Sequence, residues 1–358
     1  MFIRRSITRL SRPYRLDTTI TKGQMGKNTI LLPGLDLRSD TVTLPSMEMR
    51  EIMSDALCGD DVYGEDFTIA ELESYMAEIT GKEAALFVLT GTMSNFLATI
   101  STCSPGEEVI AGHLCHLARY EQGNIARFGS IPFRAIETQK DGTLAIDDIV
   151  QYGYFSKDDF HMSHTTMVCI ENTHNFLGGI PLDLSYLKCL WEASKQHGFR
   201  IHTDGARLIN ASISTGHSLR ELCQYSDSVS MCFTKGLGCP FGGILVGDKV
   251  MIDKARRARK SIGGQWRQGG MAAAACLHSI QNTDPIVRDH LMAKKWAEDI
   301  AAKCSNITVN TPQSNIVLLH CPSASFAANI IDKMESGPIA GELYSALHLK
   351  GTSFNSVF

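Results

Sequence analysis

The stretch R-I-H-T-D-G-A-R, residues 200–207, is followed along the chain by S-M-C-F-T-K-G-L-G, residues 230–238. Each stretch contains a short apolar run that ends in one charged residue followed by glycine: Asp204 in the first and Lys235 in the second. Lys235 follows Asp204 by 31 residues, which is enough for one helical crossover between neighbouring strands of a parallel sheet. The two stretches therefore predict a parallel sheet that places an aspartate and a lysine after adjacent strands.

An aspartate and a lysine in this arrangement suit the chemistry of pyridoxal phosphate (PLP). The lysine forms a Schiff base with the cofactor aldehyde, and the carboxylate keeps the pyridine nitrogen protonated so that the ring accepts electrons. The sequence therefore predicts a PLP enzyme in which Lys235 carries the cofactor and Asp204 faces the ring nitrogen.

Apolar runs of strand length alternate with helical segments through most of the chain. The predicted strands are residues 84–89, 109–112, 167–172, 199–204, 228–233 and an antiparallel strand at 243–247. Strands that alternate with helices are typical of an α/β fold with a mostly parallel sheet covered on both faces.

Two helices have recognisable boundaries in the sequence. The segment that opens at Thr68 has a capping box formed with Glu71, and its apolar residues recur at helical spacing. Residues 185–197 form a second amphipathic segment, for which Gly198 is a good carboxyl-terminal stop. From Asp284-Pro285 the pattern breaks, so we predict a large PLP-binding domain at 35–285 and a small, incomplete carboxyl-terminal domain at 286–358.

Composition excludes several classes of partner. The 358 residues are 44% hydrophobic with a formal net charge of −4, which gives no support for binding nucleic acid or a membrane surface. The 11 cysteines are scattered without paired spacing, which favours a reducing compartment and no structural metal.

Residues 1–34 form a basic amino-terminal extension. Seven Arg or Lys residues stand against one acid, Asp17, in a segment rich in hydroxyl side chains. This composition is typical of a mitochondrial transit peptide and also of a basic tail on a cytosolic protein. The predicted location is therefore the cytoplasm or the mitochondrial matrix.

A turn and a basic run, each taken alone, are weak evidence for a functional site. Gly91 and Thr92 of a T-G-T turn precede a helical segment, where backbone N–H groups bind phosphate, although most such turns bind nothing. The basic run at 256–260 is interpreted as a solvated helix face.

Several polar residues follow or precede predicted strands. His116 is suited to stack on a cofactor ring and Arg207 to bind a substrate carboxylate, but a lone His is more often structural and an Arg often forms an ordinary ion pair. His161 has the same ambiguity as His116. Glu171 and Asn172 are candidates for the 3-hydroxyl region of the cofactor, or for a simple turn.

Six motifs together resemble the low-specificity L-threonine aldolases, a family with the aspartate-aminotransferase-like PLP fold. They cover about residues 35–282 and read L-D-L-R-S-D-T-V-T-L-P (35–45), G-D-D-V-Y-G-E-D (59–66), G-K-E-A-A-L-F (81–87), E-N-T-H-N (171–175), H-T-D-G-A-R (202–207) and K-G-L-G-C-P-F-G (235–242). The resemblance implies a seven-stranded sheet, PLP as cofactor, and an aldehyde-lyase that cleaves L-threonine or L-allo-threonine to glycine and acetaldehyde. It also implies homodimers or homotetramers and a place in glycine formation and threonine breakdown.

The resemblance also implies a role for individual residues. It makes Lys235 the cofactor lysine, Asp204 the partner of the ring nitrogen, and His116 the ring that stacks on the cofactor. The implied substrate residues are Ser39, Arg207 and His161, and the implied phosphate surroundings are Gly91, Thr92 and Arg267, the last reaching in from a second subunit. The base that removes the β-hydroxyl proton stays open between His116, His161 and a bound water.

The carboxyl-terminal region departs from the family pattern. The family has a second carboxylate-binding arginine in a late R-x-V-T-H-like segment, whereas this sequence has no arginine after Arg288. We therefore expect the substrate carboxylate to depend on Arg207 and Ser39, and the small domain to lack its last strand and helix. A β-eliminating lyase and a non-catalytic PLP-binding homologue are the alternative functions.

Overall fold

The computed structural model of the chain describes residues 37, 39–156, 158, 160–336 and 346–350. These described residues belong to one compact unit. The predicted basic extension, residues 1–34, lies outside the described residues, so its interpretation stays a prediction. The predicted domain boundary at residue 285 also stays a prediction.

The described residues form two sheets. Their strands are β1 (Ala84–Val88), β2 (Glu108–Gly112), β3 (Phe133–Ile136), β4 (Thr165–Glu171), β5 (Arg200–Asp204), β6 (Ser228–Cys232), β7 (Gly243–Gly247), β8 (Thr308–Val309), β9 (Ile316–His320) and β10 (Ala346–Lys350).

Helices connect most of these strands. They are α1 (Met47–Asp55), α2 (Phe67–Thr80), α3 (Gly91–Thr102), α4 (His116–Arg119), α5 (Asn124–Gly129), α6 (Ile146–Tyr152), α7 (Leu184–His197), α8 (Leu208–Thr215), α9 (Leu219–Cys223), α10 (Lys249–Ser261), α11 (Gly270–Gln281), α12 (Asp284–Lys303) and α13 (Ala324–Ser336). Short 3₁₀ turns occupy Asp40–Val42 and Asn175–Leu177.

The large sheet has seven strands in the order β1-β7-β6-β5-β4-β2-β3. Strand β7 runs antiparallel to both of its neighbours, and the other pairs are parallel. The mostly parallel sheet, the antiparallel β7 and the adjacency of β5 and β6 are confirmed. Strand β3 was not predicted, because its four residues include Arg134 and follow a proline.

Both faces of the large sheet are buried, as its alternating side chains show. In β1, Phe87 belongs to the main hydrophobic core, while Leu86 and Val88 pack with Leu97 of α3 in a core on the other side. Apolar residues buried on both faces are typical of a parallel sheet covered by helices on each side. The fold is therefore the α/β architecture expected from the sequence.

Helix α2 begins at a different residue from the one predicted. Asp66 is the N-cap, and its carboxylate accepts the backbone N–H of Ile69 at 3.1 Å. The Thr68–Glu71 capping box is wrong, because the Thr68 hydroxyl donates instead to the Leu57 carbonyl at 2.8 Å. A buried carboxylate two residues earlier is the stronger acceptor for the first-turn N–H groups.

The structure adds detail to two further interpretations of the sequence. Asp284-Pro285 follows the end of α11 and opens the 20-residue helix α12, since proline is well accommodated in the first turn. The basic run in α10 is not wholly solvated. Arg259 is fully buried, where it bonds the Phe87 carbonyl and pairs with Asp61 at 2.6 Å.

The second sheet has the order β10-β9-β8 and a core of its own. Ala293 and Ala297 of α12 pack there against Val317 and Leu319 of β9. Strand β10 pairs in parallel with β9, and the expectation that this region lacks the last strand and helix of the family stays a prediction. Within the described part of the chain, no helix combines the length and apolar character that a membrane crossing requires.

Candidate active site

Three predicted residues meet at the carboxyl edge of the large sheet. Asp204 is the last residue of β5, Lys235 lies in the loop after β6, and His116 begins α4 after β2. Burial alone would raise the pKa of Asp204, but the nearby charges of His116 and Lys235 hold that pKa below its ordinary value. The three residues therefore lie at one edge of the sheet, close enough to interact electrostatically.

Asp204 is fixed by donors on both of its carboxylate oxygens. The Asn95 amide donates to Oδ2 at 2.8 Å, and the backbone N–H of Ala206 donates to Oδ1 at 3.1 Å. The carboxylate is buried and hydrogen-bonded, which is the state in which a charge is tolerated away from water. Asp204 is therefore an oriented anion at the floor of the pocket.

His116 is held from two directions. Its backbone N–H donates to Glu171 Oε2 at 2.7 Å, and its ring Nδ1 lies 2.9 Å from Glu121 Oε1. Burial would lower the pKa of His116, but the bond to Glu121 and the charge of Asp204 raise it above the ordinary value. The ring is half-buried, so one side is open to a bound molecule.

Arg207 forms a buried, bidentate ion pair with Asp40. Nε lies 2.7 Å from Oδ2 and Nη2 lies 2.6 Å from Oδ1. Burial would raise the pKa of Asp40, but the Arg207 charge and hydrogen bonds lower it to about 2. Arg207 thus forms an ion pair, which is one of the two roles considered for it from the sequence. It also lines the same small pocket as Lys235.

The segment that contains Ser39 folds against the lysine loop. The Thr43 hydroxyl donates to the Lys235 carbonyl at 2.7 Å, and Asp40 is bonded to Arg207. Ser39 is the N-cap of the 3₁₀ turn between these contacts and accepts the N–H of Thr41. Ser39 directly precedes Asp40, the residue that pairs with Arg207.

The amino end of α3 meets the end of β6. Gly91 begins this helix, and a Cβ placed there would lie 2.3 Å from Cys232 Sγ, so only glycine allows the close approach. Thr92 follows it and is exposed. The first N–H groups of the helix thus point to the edge that bears Lys235, as an anion site requires.

Glu171 and Asn172 differ in how fully their side chains are hydrogen-bonded. The Glu171 carboxylate accepts two backbone N–H groups, from His116 and from Asn175, and so acts as an anchor for the chain. Asn172 donates its backbone N–H to the Asp204 carbonyl, and its Nδ2 group is buried without an acceptor among the described residues.

His161 and Arg267 are not brought to this pocket in their own chain. His161 is exposed beside Phe160 in the segment that precedes β4, at the amino edge of the sheet. Lys235 lies at the opposite edge, because it follows a strand parallel to β4. Arg267 is exposed and pairs with Asp60 at 2.8 Å. The implied roles of both residues stay predictions that need another subunit.

Sequence reasoning missed Asn95, Glu121 and Asp40 as members of the site. Asn95 stands among apolar residues of α3, a polar exception that signals a buried hydrogen bond. Glu121 carries no local signal, since only the turn after α4 brings it back to His116. Asp40 belongs to the quoted D-L-R-S-D-T-V-T motif, but its partner lies 167 residues away.

The residues present fit PLP. A buried carboxylate, a lysine amine and an aromatic ring lie at one edge of the sheet, and the amino end of a helix offers N–H donors for a phosphate at the same edge. The orphaned Asn172 Nδ2 group adds a donor without an acceptor next to Asp204. His116, Glu121 and Asp204 also have the spacing of metal ligands, but the Asn95 amide donates to both carboxylates and disfavours a cation there.

The chain belongs to the family described as Beta-eliminating lyase, whose sequence profile matches residues 36–322. This is a family of PLP-dependent lyases, which agrees with the lysine, aspartate and histidine at the sheet edge.

The chain is similar to several individual threonine aldolases. The chain is 44% identical over 267 residues to the low specificity L-threonine aldolase of Escherichia coli O157:H7, covering 74% of this chain and 79% of that protein. It is 39% identical over 299 residues to low-specificity L-threonine aldolase 1 of Arabidopsis thaliana, covering 83% of this chain and 84% of that one. The solved threonine aldolase of Leishmania major shares the fold, with a TM-score of 0.70 at 22% identity over 83% of this chain and 87% of its own.

Proposed function

We propose that this protein is a PLP-dependent aldolase that cleaves L-threonine, or L-allo-threonine, to glycine and acetaldehyde. The observation that carries the proposal is the 44% identity to an L-threonine aldolase, together with Lys235, Asp204 and His116 at one sheet edge. A lysine, a buried anion and a histidine supply the attachment point, the ring partner and a proton acceptor that such a cleavage needs.

The cofactor is held by residues of the sheet edge. Lys235 would provide the amine for its aldehyde, Asp204 would keep a proton at its ring nitrogen, and His116 would stack on its ring. The N–H groups at Gly91 and Thr92 would hold the phosphate. When bound, PLP supplies a sink for the electron pair that the breaking bond releases.

The substrate is oriented by Arg207 and Ser39. Asp40 occupies Nε and Nη2 of Arg207, and we assign Nη1 to the substrate carboxylate. The pair with Asp40 fixes the guanidinium plane before the substrate arrives. The residues thus bind the carboxylate with a preset geometry, which reduces the entropy lost on binding.

A base then takes the proton of the β-hydroxyl group. The Cα–Cβ bond breaks, acetaldehyde leaves with the oxygen as its carbonyl, and Cα gains a proton to give glycine. The half-buried position of His116 beside Asp204 supports this residue as the base within one chain, with a bound water as the alternative. His161 remains a candidate only through another subunit.

Product analysis distinguishes this reaction from β-elimination. Incubation of the purified, PLP-loaded protein with L-threonine should release acetaldehyde and glycine in equal amounts, and Lys235→Ala should release neither. L-serine, which has a β-hydroxyl leaving group, should give little pyruvate and ammonia. Rapid pyruvate release from L-serine without acetaldehyde from threonine would favour a β-eliminating lyase. A loaded protein that is inert toward both would favour a non-catalytic homologue.

We also propose that the protein assembles as a homodimer or homotetramer. Leu57, Tyr63 and Phe67 are each at least 75% exposed, yet Asp66 fixes their loop by accepting N–H groups of Gly59, Ile69 and Gly270. Large apolar side chains held rigidly on a surface indicate an interface. Arg267 is anchored beside them through Asp60, which supports its proposed reach toward a neighbouring site.

Sedimentation tests the assembly. The wild-type protein should sediment as a dimer or larger species, and Phe67→Asp should shift it toward the monomer. Val250→Asp is the matched control, because Val250 is similarly exposed on α10 and should leave the assembly intact. A monomeric wild-type protein would contradict the proposal.

Fusion of residues 1–34 to a fluorescent reporter distinguishes the two proposed locations, the mitochondrial matrix and the cytoplasm.

A further inference from the structure

Glu121 is a buried carboxylate for which the proposed reaction has no use. It is 3% exposed and lies just after α4. It accepts hydrogen bonds from Asn95 Nδ2 at 2.8 Å and Asn124 Nδ2 at 3.2 Å, and its Oε1 lies 2.9 Å from His116 Nδ1. Burying a carboxylate is costly unless partners satisfy it, and the two amide donors are such partners.

The contact with Glu121 determines which ring nitrogen of His116 carries a proton. An ionised carboxylate only accepts hydrogen bonds, so the short contact requires a proton on Nδ1 of His116. The Nε2 atom is then the nitrogen that gains or loses a proton toward the pocket. A carboxylate behind an imidazole in this way fixes both its tautomer and its orientation.

Asn95 ties this pair to the anion of the cofactor pocket. Its amide donates to Glu121 Oε1 and to Asp204 Oδ2, both at 2.8 Å. Its carbonyl accepts from Ser230 at 2.6 Å and lies 3.1 Å from His202 Nε2, so the amide cannot rotate without breaking bonds on both sides. The two carboxylates therefore have one shared, rigid support.

Other charged groups around His116 also affect the protonation of its ring. Asp204 and Glu121 favour the protonated ring, while Lys235 and burial disfavour it. Glu171 approaches the backbone N–H of His116 rather than its ring. Because Glu121 is the charged group in direct contact with the ring, its removal should have the largest single effect.

We propose that Glu121 is a positioning residue, which keeps a proton on Nδ1 of His116 and directs Nε2 into the cofactor pocket, with Asn95 locking it to Asp204. The role of His116 as a base rests on the proposed function. The protonation of its ring does not rest on the proposed function and can be measured without catalysis.

The decisive experiment titrates His116 by NMR in cofactor-free protein that carries isotope-labelled histidine. The signal is identified by its loss in His116→Phe. Glu121→Gln should lower the pKa of His116 by about one unit or more, the usual effect of losing an opposite charge in contact. Glu137→Gln is the matched control, because Glu137 faces His113 at 3.7 Å on the surface, outside the pocket. An unchanged His116 pKa in Glu121→Gln would overturn the proposal.

Two further measurements keep the test informative. If Glu121→Gln does not fold, Glu121→Asp keeps the charge at a longer distance, and its His116 pKa should fall below the wild-type value; an equal or higher value would refute the proposal. In the loaded enzyme, the acid limb of kcat/KM for threonine should move in Glu121→Gln to lower pH by the same amount as the NMR shift. An NMR shift in a protein that does not cleave threonine would reject the proposed function and leave the positioning role standing.

Discussion

Arg207 lines the pocket that contains Lys235 and is held there by a buried ion pair with Asp40. The sequence predicts that it faces the pocket, and it does line the pocket with Lys235. Its bidentate partner Asp40 could not be predicted, because the two are far apart in the chain and an acid near the amino end has many available partners. Long-range ion pairs depend on the completed fold rather than on local pattern.

The Arg207–Asp40 pair gives a prediction for a single residue. Asp40→Asn should leave a buried guanidinium without its counter-charge and lower the free energy of unfolding by about 3–5 kcal/mol. It should also raise KM for threonine, since the guanidinium plane loses its anchor. Both effects are measured by chemical denaturation and steady-state kinetics.

Asp253→Asn is the control for this prediction. Asp253 pairs with Lys249 on the surface of α10, where both side chains are more than half exposed. Breaking such a pair should change the free energy of unfolding by less than about 1 kcal/mol. Equal effects of the two substitutions would show that the Asp40 pair contributes no more than a surface contact.

Secondary-structure elements could be predicted where the local pattern is strong. Strands β5 and β6 were recognised because apolar runs end there in Asp204 and in the segment before Lys235. Strand β3 was missed because it is short, lies at the sheet edge and carries Arg134. The sequence placed the start of α2 at Thr68, since it does not show that Asp66 is buried.

The start of α2 provides a prediction for an element. The Asp66 carboxylate accepts the N–H of Ile69 at 3.1 Å, of Gly270 at 2.8 Å and of Gly59 at 3.3 Å. Asp66→Ala should lower the free energy of unfolding by about 2–3 kcal/mol, because it removes a cap and leaves buried donors unpaired. Thr68→Ala should cost less than about 1 kcal/mol. A larger loss for Thr68→Ala would restore the predicted capping box.

Across the whole molecule, two buried histidines make stability depend on pH. Burial lowers the pKa of His202 to about 4, and it also lowers the pKa of His290 to about 4. In the unfolded chain both groups titrate near the ordinary histidine pKa of 6.5. Between these values the unfolded chain binds protons at these two groups that the folded chain does not bind, so the stability that the two histidines contribute is present above about pH 6.5 and is lost as the pH falls toward about 4. Burial raises the pKa of Asp289 to about 7, and this group acts in the opposite direction.

The size of this effect can be measured. Each histidine contributes a slope of about 1.4 kcal/mol per pH unit within this window, which amounts to roughly 3 kcal/mol over the window. His202→Gln should remove one such slope from the curve of unfolding free energy against pH, measured with saturating PLP. An identical curve for wild type and variant would mean that His202 does not titrate on unfolding.

The central claim is that Lys235 carries the cofactor of a threonine-cleaving lyase. Borohydride reduction of the PLP-loaded protein, followed by digestion and mass spectrometry, locates the reduced phosphopyridoxyl group on one lysine. We expect this lysine to be Lys235, and we expect Lys235→Ala to lose both the label and acetaldehyde release from threonine. A label on another lysine, or acetaldehyde release at the wild-type rate by Lys235→Ala, would contradict it.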